Sequence, residues 1–208
     1  MLNFTDLTGL AGVACATAAA ALLLLLGLLP GIARLTGPRR ALLLGAVFAL
    51  MLIPFGGMSF AAYVRGMTGD LSITTLVLLC CTMLRPWCGC IEVQDKHRLA
   101  LLTLIALAAL GLYPMALGVG AHDPYRLGYG NLQFIAALLL LALAAWFRGF
   151  SLIALCIASA TLAWTVGWYE SDNLWDYLID PFVAIYALAA IMIFCVKTLL
   201  KWRRCRSC

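Results

Sequence analysis

Charged residues are scarce in this sequence. Asp, Glu, Lys and Arg make up 11% of the 208 residues, and hydrophobic residues make up 65%. A soluble domain usually carries about 25% charged residues. The mean hydropathy of +1.03 and the long apolar runs indicate a polytopic membrane protein. No stretch between the runs is long enough for a soluble domain, so we expect one integral membrane domain over residues 1–208.

Histidine and catalytic motifs are scarce as well. The sequence contains only two histidines, His97 and His122. It has no Walker motif, no His-Glu-x-x-His, no Gly-x-Ser-x-Gly, and neither a phosphatidyltransferase nor a lipid-phosphatase pattern. We expect His97 on the cytoplasmic side of the membrane and His122 on the outer side, so the two cannot serve one site. No cofactor is predicted.

Basic residues are absent from the first seven positions, Met1 to Leu7. A secretory signal normally begins with a basic segment. We therefore expect the first apolar run to be a retained transmembrane helix.

Seven apolar segments predict an all-α bundle that crosses the membrane about seven times. Backbone polar groups find no water in lipid, so spanning segments are helices or closed barrels, and these runs lack the alternation of barrel strands. A helix needs about 20 residues to cross the hydrocarbon core. The third and fifth segments are short. The segments are Gly9–Ala33, Ala41–Tyr63, Leu71–Leu84, Leu99–Val119, Leu132–Phe147, Phe150–Trp168 and Phe182–Leu200.

The distribution of charge predicts the orientation. Lys and Arg accumulate in cytoplasmic loops, and an outside amino terminus places 12 of the 14 basic residues in the cytoplasm and seven of the nine acidic residues outside. Only Arg65 and Arg126 are basic residues on the outer side. This partition predicts a cytoplasmic carboxy terminus and a multi-pass protein of the cell inner (plasma) membrane. It depends on a tight turn near Arg148 and Gly149.

The expected partner is the lipid bilayer. Small residues at helical spacing in the first segment, among them Gly12, Ala16 and Ala20, let helix backbones approach closely. They predict packing within one bundle or, as an alternative, contact with another membrane protein. Nucleic acid is not expected, because the basic residues are spread thinly over short inner loops.

The outer segment from Glu170 to Pro181 is the first candidate site. If it is helical, Asp172, Asp176 and Asp180 lie four residues apart on one stripe. The pattern predicts a short interfacial helix before the last crossing. The stacked carboxylates require compensation, which a cation, Arg65, Arg126 or a basic ligand would supply. The alternative is that Asp172 and Asp180 are helix caps in a solvated connector.

A break at Pro54–Gly57 precedes the second candidate, Arg65 and Asp70. Broken helices at membrane depth often line a polar path, and a charged pair inside a membrane is a functional hypothesis. The alternative places Arg65 in an outer loop and makes Asp70 the cap of a short third helix.

The third candidate is the loop around His122 and Asp123. A histidine beside a carboxylate could act as an acid/base pair. With Asp70 and Asp176, these residues form the candidate catalytic set. However, Asp123-Pro124 among several glycines is also typical of a turn.

Cysteine provides the fourth candidate. Four of the nine cysteines lie in the predicted cytoplasmic segments and could bind zinc through thiolates: Cys88, Cys90, Cys205 and Cys208. The one-residue spacing between Cys88 and Cys90 is unusual for zinc, so the alternative is a set of inert small residues. Their cytoplasmic position argues against structural disulfides.

Three functional hypotheses follow. The leading one is a non-enzymatic accessory or assembly component of a cell-envelope process, because catalytic motifs are absent. The second is an envelope enzyme that acts on a lipid or lipid-linked substrate at the outer leaflet and requires Asp70, His122, Asp123 and Asp176 to converge. The third is a small-molecule or ion transporter, which requires a polar path past the Pro54–Gly57 break.

Overall fold

The computed structural model describes residues 4–28, 37–84, 95–120 and 122–206, and this part of the chain is mostly helical. The all-α prediction is confirmed. One β-hairpin and one 3-10 helix, Pro124–Gly128, accompany the helices. The helices are α1 (Phe4–Leu28), α2 (Gly37–Leu52), α3 (Phe60–Thr68), α4 (Ile73–Leu84), α5 (Asp95–Ala116), α6 (Leu132–Phe147), α7 (Ser151–Thr165), α8 (Leu174–Leu178) and α9 (Pro181–Arg206).

Two helical stretches among the described residues are long and apolar enough to cross a membrane. They are Lys96–Ala116 in α5 and Pro181–Lys201 in α9. Five further apolar stretches of 10 to 17 residues lie in α1, α2, α4, α6 and α7. Every predicted segment therefore contains a helix, but most of these helices are shorter than a full crossing.

The second apolar segment is interrupted where the sequence predicts a break. β1 (Pro54–Phe55) pairs with β2 (Met58–Ser59) in an antiparallel hairpin. Pro54 has no N–H for a helix, and the turn residues Gly56 and Gly57 have φ angles of 64° and 96°. These angles favour glycine because it has no Cβ. The chain then continues as α3.

α6 and α7 form a helical hairpin around the predicted turn. Arg148 ends α6, and its N–H bonds to the Ala144 carbonyl. Gly149 follows with φ 79°, which places it in the left-handed region that ends many helices. α6 packs directly against α7.

α7 is the centre of the bundle. It contacts α4, α5, α6 and α8, and α9 packs along α5. α1 packs against both α2 and α3. Small side chains permit these close approaches: Ala14 of α1, Ala160 of α7 and Ala187 of α9 are fully buried. Ala16, which belongs to the small-residue pattern of α1, is also buried, so part of that pattern serves packing inside this chain.

The connection between α7 and α9 folds back into the protein. Its buried side chains include Tyr169, Leu174, Tyr177 and Leu178, all part of the main apolar core. α8 packs against both α7 and α4. α4 has only 12 residues. The connection between α7 and α9 therefore packs beside a short helix.

Gly149→Ala should destabilise the protein by about 1 kcal/mol, because an L side chain is disfavoured at a positive φ. Gly111→Ala is the matched control. Gly111 lies within α5, and a Cβ there would meet nothing within 4 Å, so alanine should be neutral or stabilising. Thermal unfolding in detergent measures both. An equal melting temperature for the two variants would contradict the assigned turn.

Candidate functional site

The buried carboxylate of Asp180 connects α4 to α9. Its side chain is 4% exposed. Oδ2 accepts hydrogen bonds from the Ser72 N–H at 2.9 Å, the Ser72 hydroxyl at 2.8 Å and the Thr75 hydroxyl at 2.5 Å. Oδ1 accepts from the Val183 N–H at 2.8 Å. A buried carboxylate with four donors is well satisfied, so this arrangement has a structural role.

Part of this arrangement was predicted from the sequence. Asp180 caps α9, as the Asp-Pro pattern indicates. The bridge to α4 was missed, because it joins residues 105 and 108 positions apart. Ser72, rather than Asp70, caps α4: its hydroxyl accepts the Thr75 N–H at 3.2 Å. The prediction that Asp70 caps this helix was wrong.

Arg65 joins two carboxylates from different elements. Its Nε and Nη2 donate to the two oxygens of Asp70 at 2.7 and 3.0 Å, and its Nη1 lies 3.1 Å from Oδ1 of Asp6. Gly9 of α1 lies directly against this pair, because a Cβ there would lie 2.3 Å from Oδ1 of Asp70. Arg65 and Asp70, which the sequence predicts as a charged pair, do form an ion pair. Arg65 compensates Asp6 and Asp70, and no ion pair among the described residues links it to the aspartates around α8.

Asp176 ties α8 to the 3-10 helix. Both of its carboxylate oxygens lie 2.9 Å from the Tyr125 hydroxyl, and the Ser171 hydroxyl donates at 2.5 Å. Burial, followed by the hydrogen bond to Asp176, raises the pKa of Tyr125 above its ordinary value. The phenol therefore stays protonated at neutral pH and donates to the carboxylate.

Two backbone carbonyls strengthen this contact. The Asn173 side chain donates to the Tyr125 carbonyl at 3.0 Å, and the Trp175 indole donates to the Pro124 carbonyl at 3.0 Å. Gly128 permits the approach, because a Cβ there would overlap the Asn173 side chain. The sequence does show an Asp-Pro turn and a polar segment, but it does not show that they meet.

The three aspartates around α8 do not share one helix. α8 spans only five residues. Asn173 caps it by accepting the Trp175 N–H, so Asp172 precedes the cap, while Asp180 caps α9. The apolar side of α8 is covered by protein, since Leu174 and Leu178 are buried in the core. The predicted short helix is therefore present, but the predicted stripe is not, because an extended residue, Ile179, ends α8.

The loop of the third candidate is a turn. Oδ1 of Asp123 accepts the Tyr125 N–H at 3.0 Å and caps the 3-10 helix. His122 and Arg126 are exposed. Within the described ranges, no hydrogen bond or ion pair joins the candidate catalytic residues Asp70, His122, Asp123 and Asp176 to one another.

A cleft of about 450 Å³ borders the Arg65 ion pairs, and its wall includes Asp6, Asp70 and exposed Glu170. Nearby, Tyr169 is buried and its hydroxyl has no hydrogen-bond partner among the described residues. Burial, followed by the charge of Asp70, raises the pKa of Tyr169. Nothing in the sequence indicates that Tyr169 is buried, since it lies among aromatic residues that the sequence predicts to be interfacial.

No metal centre forms in the part of the chain that the structure describes, where no three His, Cys, Asp or Glu side chains group suitably. Of the candidate zinc ligands, Cys88, Cys90 and Cys208 lie outside the described residues, and Cys205 belongs to the last turn of α9. The cysteines whose side chains are described are free thiols.

An apolar cavity of about 290 Å³ lies between α5 and α6, with α7 as its floor. Trp175, Leu178 and Ile179, from α8 and the residue after it, close one end together with Thr74 of α4. Sequence reasoning missed this cavity, because apart from Thr74 its lining consists of ordinary apolar residues from several helices. No protein-family model, curated protein or solved structure matches this chain.

Asp180→Asn should lower the free energy of unfolding by about 2–3 kcal/mol. Both carboxylate oxygens of Asp180 accept hydrogen bonds, so in either orientation the amide NH₂ of asparagine would face at least one buried donor. Asp172→Asn is the matched control. Asp172 is exposed, so its variant should stay within about 0.5 kcal/mol of the wild type. Thermal unfolding in detergent compares them. Equal stability of both variants would show that the Asp180 bridge is not needed.

Proposed function

We propose that this chain is a small multi-pass inner-membrane protein that serves a cell-envelope process as a non-enzymatic accessory or assembly component. Its amino terminus is outside and its carboxy terminus is cytoplasmic. The charge partition of the sequence supports this orientation.

Seven crossings are compatible with the short helices. α4, α6 and α7 have 12, 16 and 15 residues, which is about 18 to 24 Å at 1.5 Å per residue against a core of about 30 Å. Non-helical backbone at membrane depth is tolerated where protein covers it. The buried connection between α7 and α9 provides such cover beside α4, and the hairpin with α3 extends the second crossing.

The observation that carries the non-enzymatic proposal is the use of the outer carboxylates. Asp70 is held by Arg65, Asp123 caps the 3-10 helix, and Asp176 is held by Tyr125 and Ser171. Each carboxylate joins or ends elements of the fold. The enzyme hypothesis requires four side chains to face one substrate: Asp70, His122, Asp123 and Asp176. Their separate contacts do not favour this hypothesis.

The positions of the buried polar side chains also count against a transporter. The buried polar side chains among the described residues are Ser59, Ser72, Thr74, Asn173 and Asp180. Each precedes or begins a helix on the side that we assign to the outer surface. The remainder of the buried core is apolar, so these residues offer no continuous polar path.

Cysteine labelling tests the topology. Single cysteines at 122 (His122→Cys), 88 and 208 in an otherwise cysteine-free chain should react with a membrane-impermeant maleimide in different ways. Position 122 should react in intact cells, and positions 88 and 208 only after permeabilisation. Labelling of position 88 from outside would overturn the topology. Size-exclusion elution equal to that of the native chain controls for folding.

Complementation of a deletion strain tests the non-enzymatic role. Loss of the chain should weaken the envelope barrier, measured as uptake of a hydrophobic dye, and His122→Ala and Glu170→Gln should restore it to within about twofold. Both side chains are exposed. Ala160→Leu overfills a fully buried position and should fail to restore it.

A different outcome would favour the enzyme. Loss of the barrier with His122→Ala, at unchanged protein level and labelling pattern, would contradict a non-enzymatic role. A deletion without any effect on the envelope barrier would contradict the envelope role itself.

A further inference from the structure

The cavity between α5 and α6 opens on the side of the bundle. Leu141 and Ala137 of α6 line it and are exposed, whereas Ile153 and Ile157 of α7 form its buried floor. In the proposed topology, this side of α5 and α6 faces lipid. The natural approach to the cavity is therefore from within the bilayer.

The lining fits a hydrocarbon chain. Among its lining residues, Thr74, Cys156 and Trp175 carry a polar or sulfur atom, and the Trp175 indole N–H already bonds to the Pro124 carbonyl. A dry apolar cavity of about 150 Å³ is sufficient to bind benzene, and this one measures about 290 Å³. An apolar ligand that fills a cavity of this size gains packing contacts with the apolar side chains that line it, so its binding is favourable.

Thr74 provides one polar contact. The residue is 2% exposed, and its hydroxyl has no partner among the described residues. Among the described residues, the Tyr169 hydroxyl is the only side-chain polar atom that is fully buried and has no hydrogen-bond partner. The Thr74 hydroxyl is therefore not fully enclosed by protein, and Thr74 is one of the residues that line the cavity.

We propose that the cavity between α5 and α6 binds one acyl chain of a membrane lipid, with the ester carbonyl of that chain accepting a hydrogen bond from the Thr74 hydroxyl. The proposal rests on the membrane position given under the proposed function. It adds the ligand class and the residue that recognises it. The headgroup then lies toward the end of the cavity that α8 closes.

Native mass spectrometry of the full chain in detergent tests the proposal. The probes are dioleoyl phosphatidylethanolamine and its dialkyl ether analogue, which lacks the ester carbonyls. The wild-type chain should bind one ester lipid about threefold to tenfold more tightly than the ether lipid, as expected for one hydrogen bond. Thr74→Val keeps the shape of the side chain and should bind both lipids equally, at the weaker affinity.

A second pair of variants tests the place of binding. Ala108→Phe fills the cavity from α5 and should abolish retention of the lipid. Leu139→Phe is its control, because Leu139 is exposed on α6 outside the cavity lining, and it should bind like the wild type.

Three results would overturn the proposal: an ester preference that persists in Thr74→Val, the same preference absent from the wild type, or wild-type binding by Ala108→Phe. The ester-to-ether ratio of Thr74→Val stands even if Ala108→Phe fails to fold. Lipid binding by the purified chain is independent of the envelope phenotype, so failure here is distinguishable from failure of the accessory role.

Discussion

The fold depends on one buried carboxylate where α4 and α9 begin. Asp180 accepts hydrogen bonds from Ser72, Thr75 and Val183, so it fixes two helix starts at once. A carboxylate is costly to bury unless its lone pairs are satisfied. The four donors meet that requirement, and the connection that contains α8 is held over the core as a result.

Three other charged residues, Asp6, Arg65 and Asp176, follow the same principle. Arg65 joins Asp6 of α1 to Asp70, which precedes α4, and Asp176 joins α8 to the 3-10 helix through Tyr125. In a helical bundle whose interior is apolar, directional hydrogen bonds at the ends of helices help to specify which elements meet. Asp70 and Asp176, which the sequence suggests as candidate catalytic residues, therefore join separate elements of the fold. Asp123 accepts the Tyr125 N–H, whereas Asp176 bonds to the hydroxyls of Tyr125 and Ser171. The two carboxylates therefore do not bond to each other.

Sequence reasoning succeeded where the cause is local. The break at Pro54, the turn at Gly149 and the Asp180 cap of α9 each follow from the backbone chemistry of a few adjacent residues. It failed for the stripe of aspartates around α8, because the sequence spacing assumes a continuous helix and an extended Ile179 interrupts it. The Asp180 bridge to Ser72 and the cavity beside Thr74 could not be predicted, since each joins residues from distant segments.

The sequence alone determined the helical class and the order of the apolar segments, because long apolar runs and their charged boundaries dictate helices. Only the tertiary structure decided which charged and polar side chains meet. Asp70 meets Arg65 against Gly9, Asp176 meets Tyr125, and Thr74 borders an apolar cavity. Such contacts depend on how helices far apart in the chain pack together, and residue spacing along the chain does not encode that packing directly.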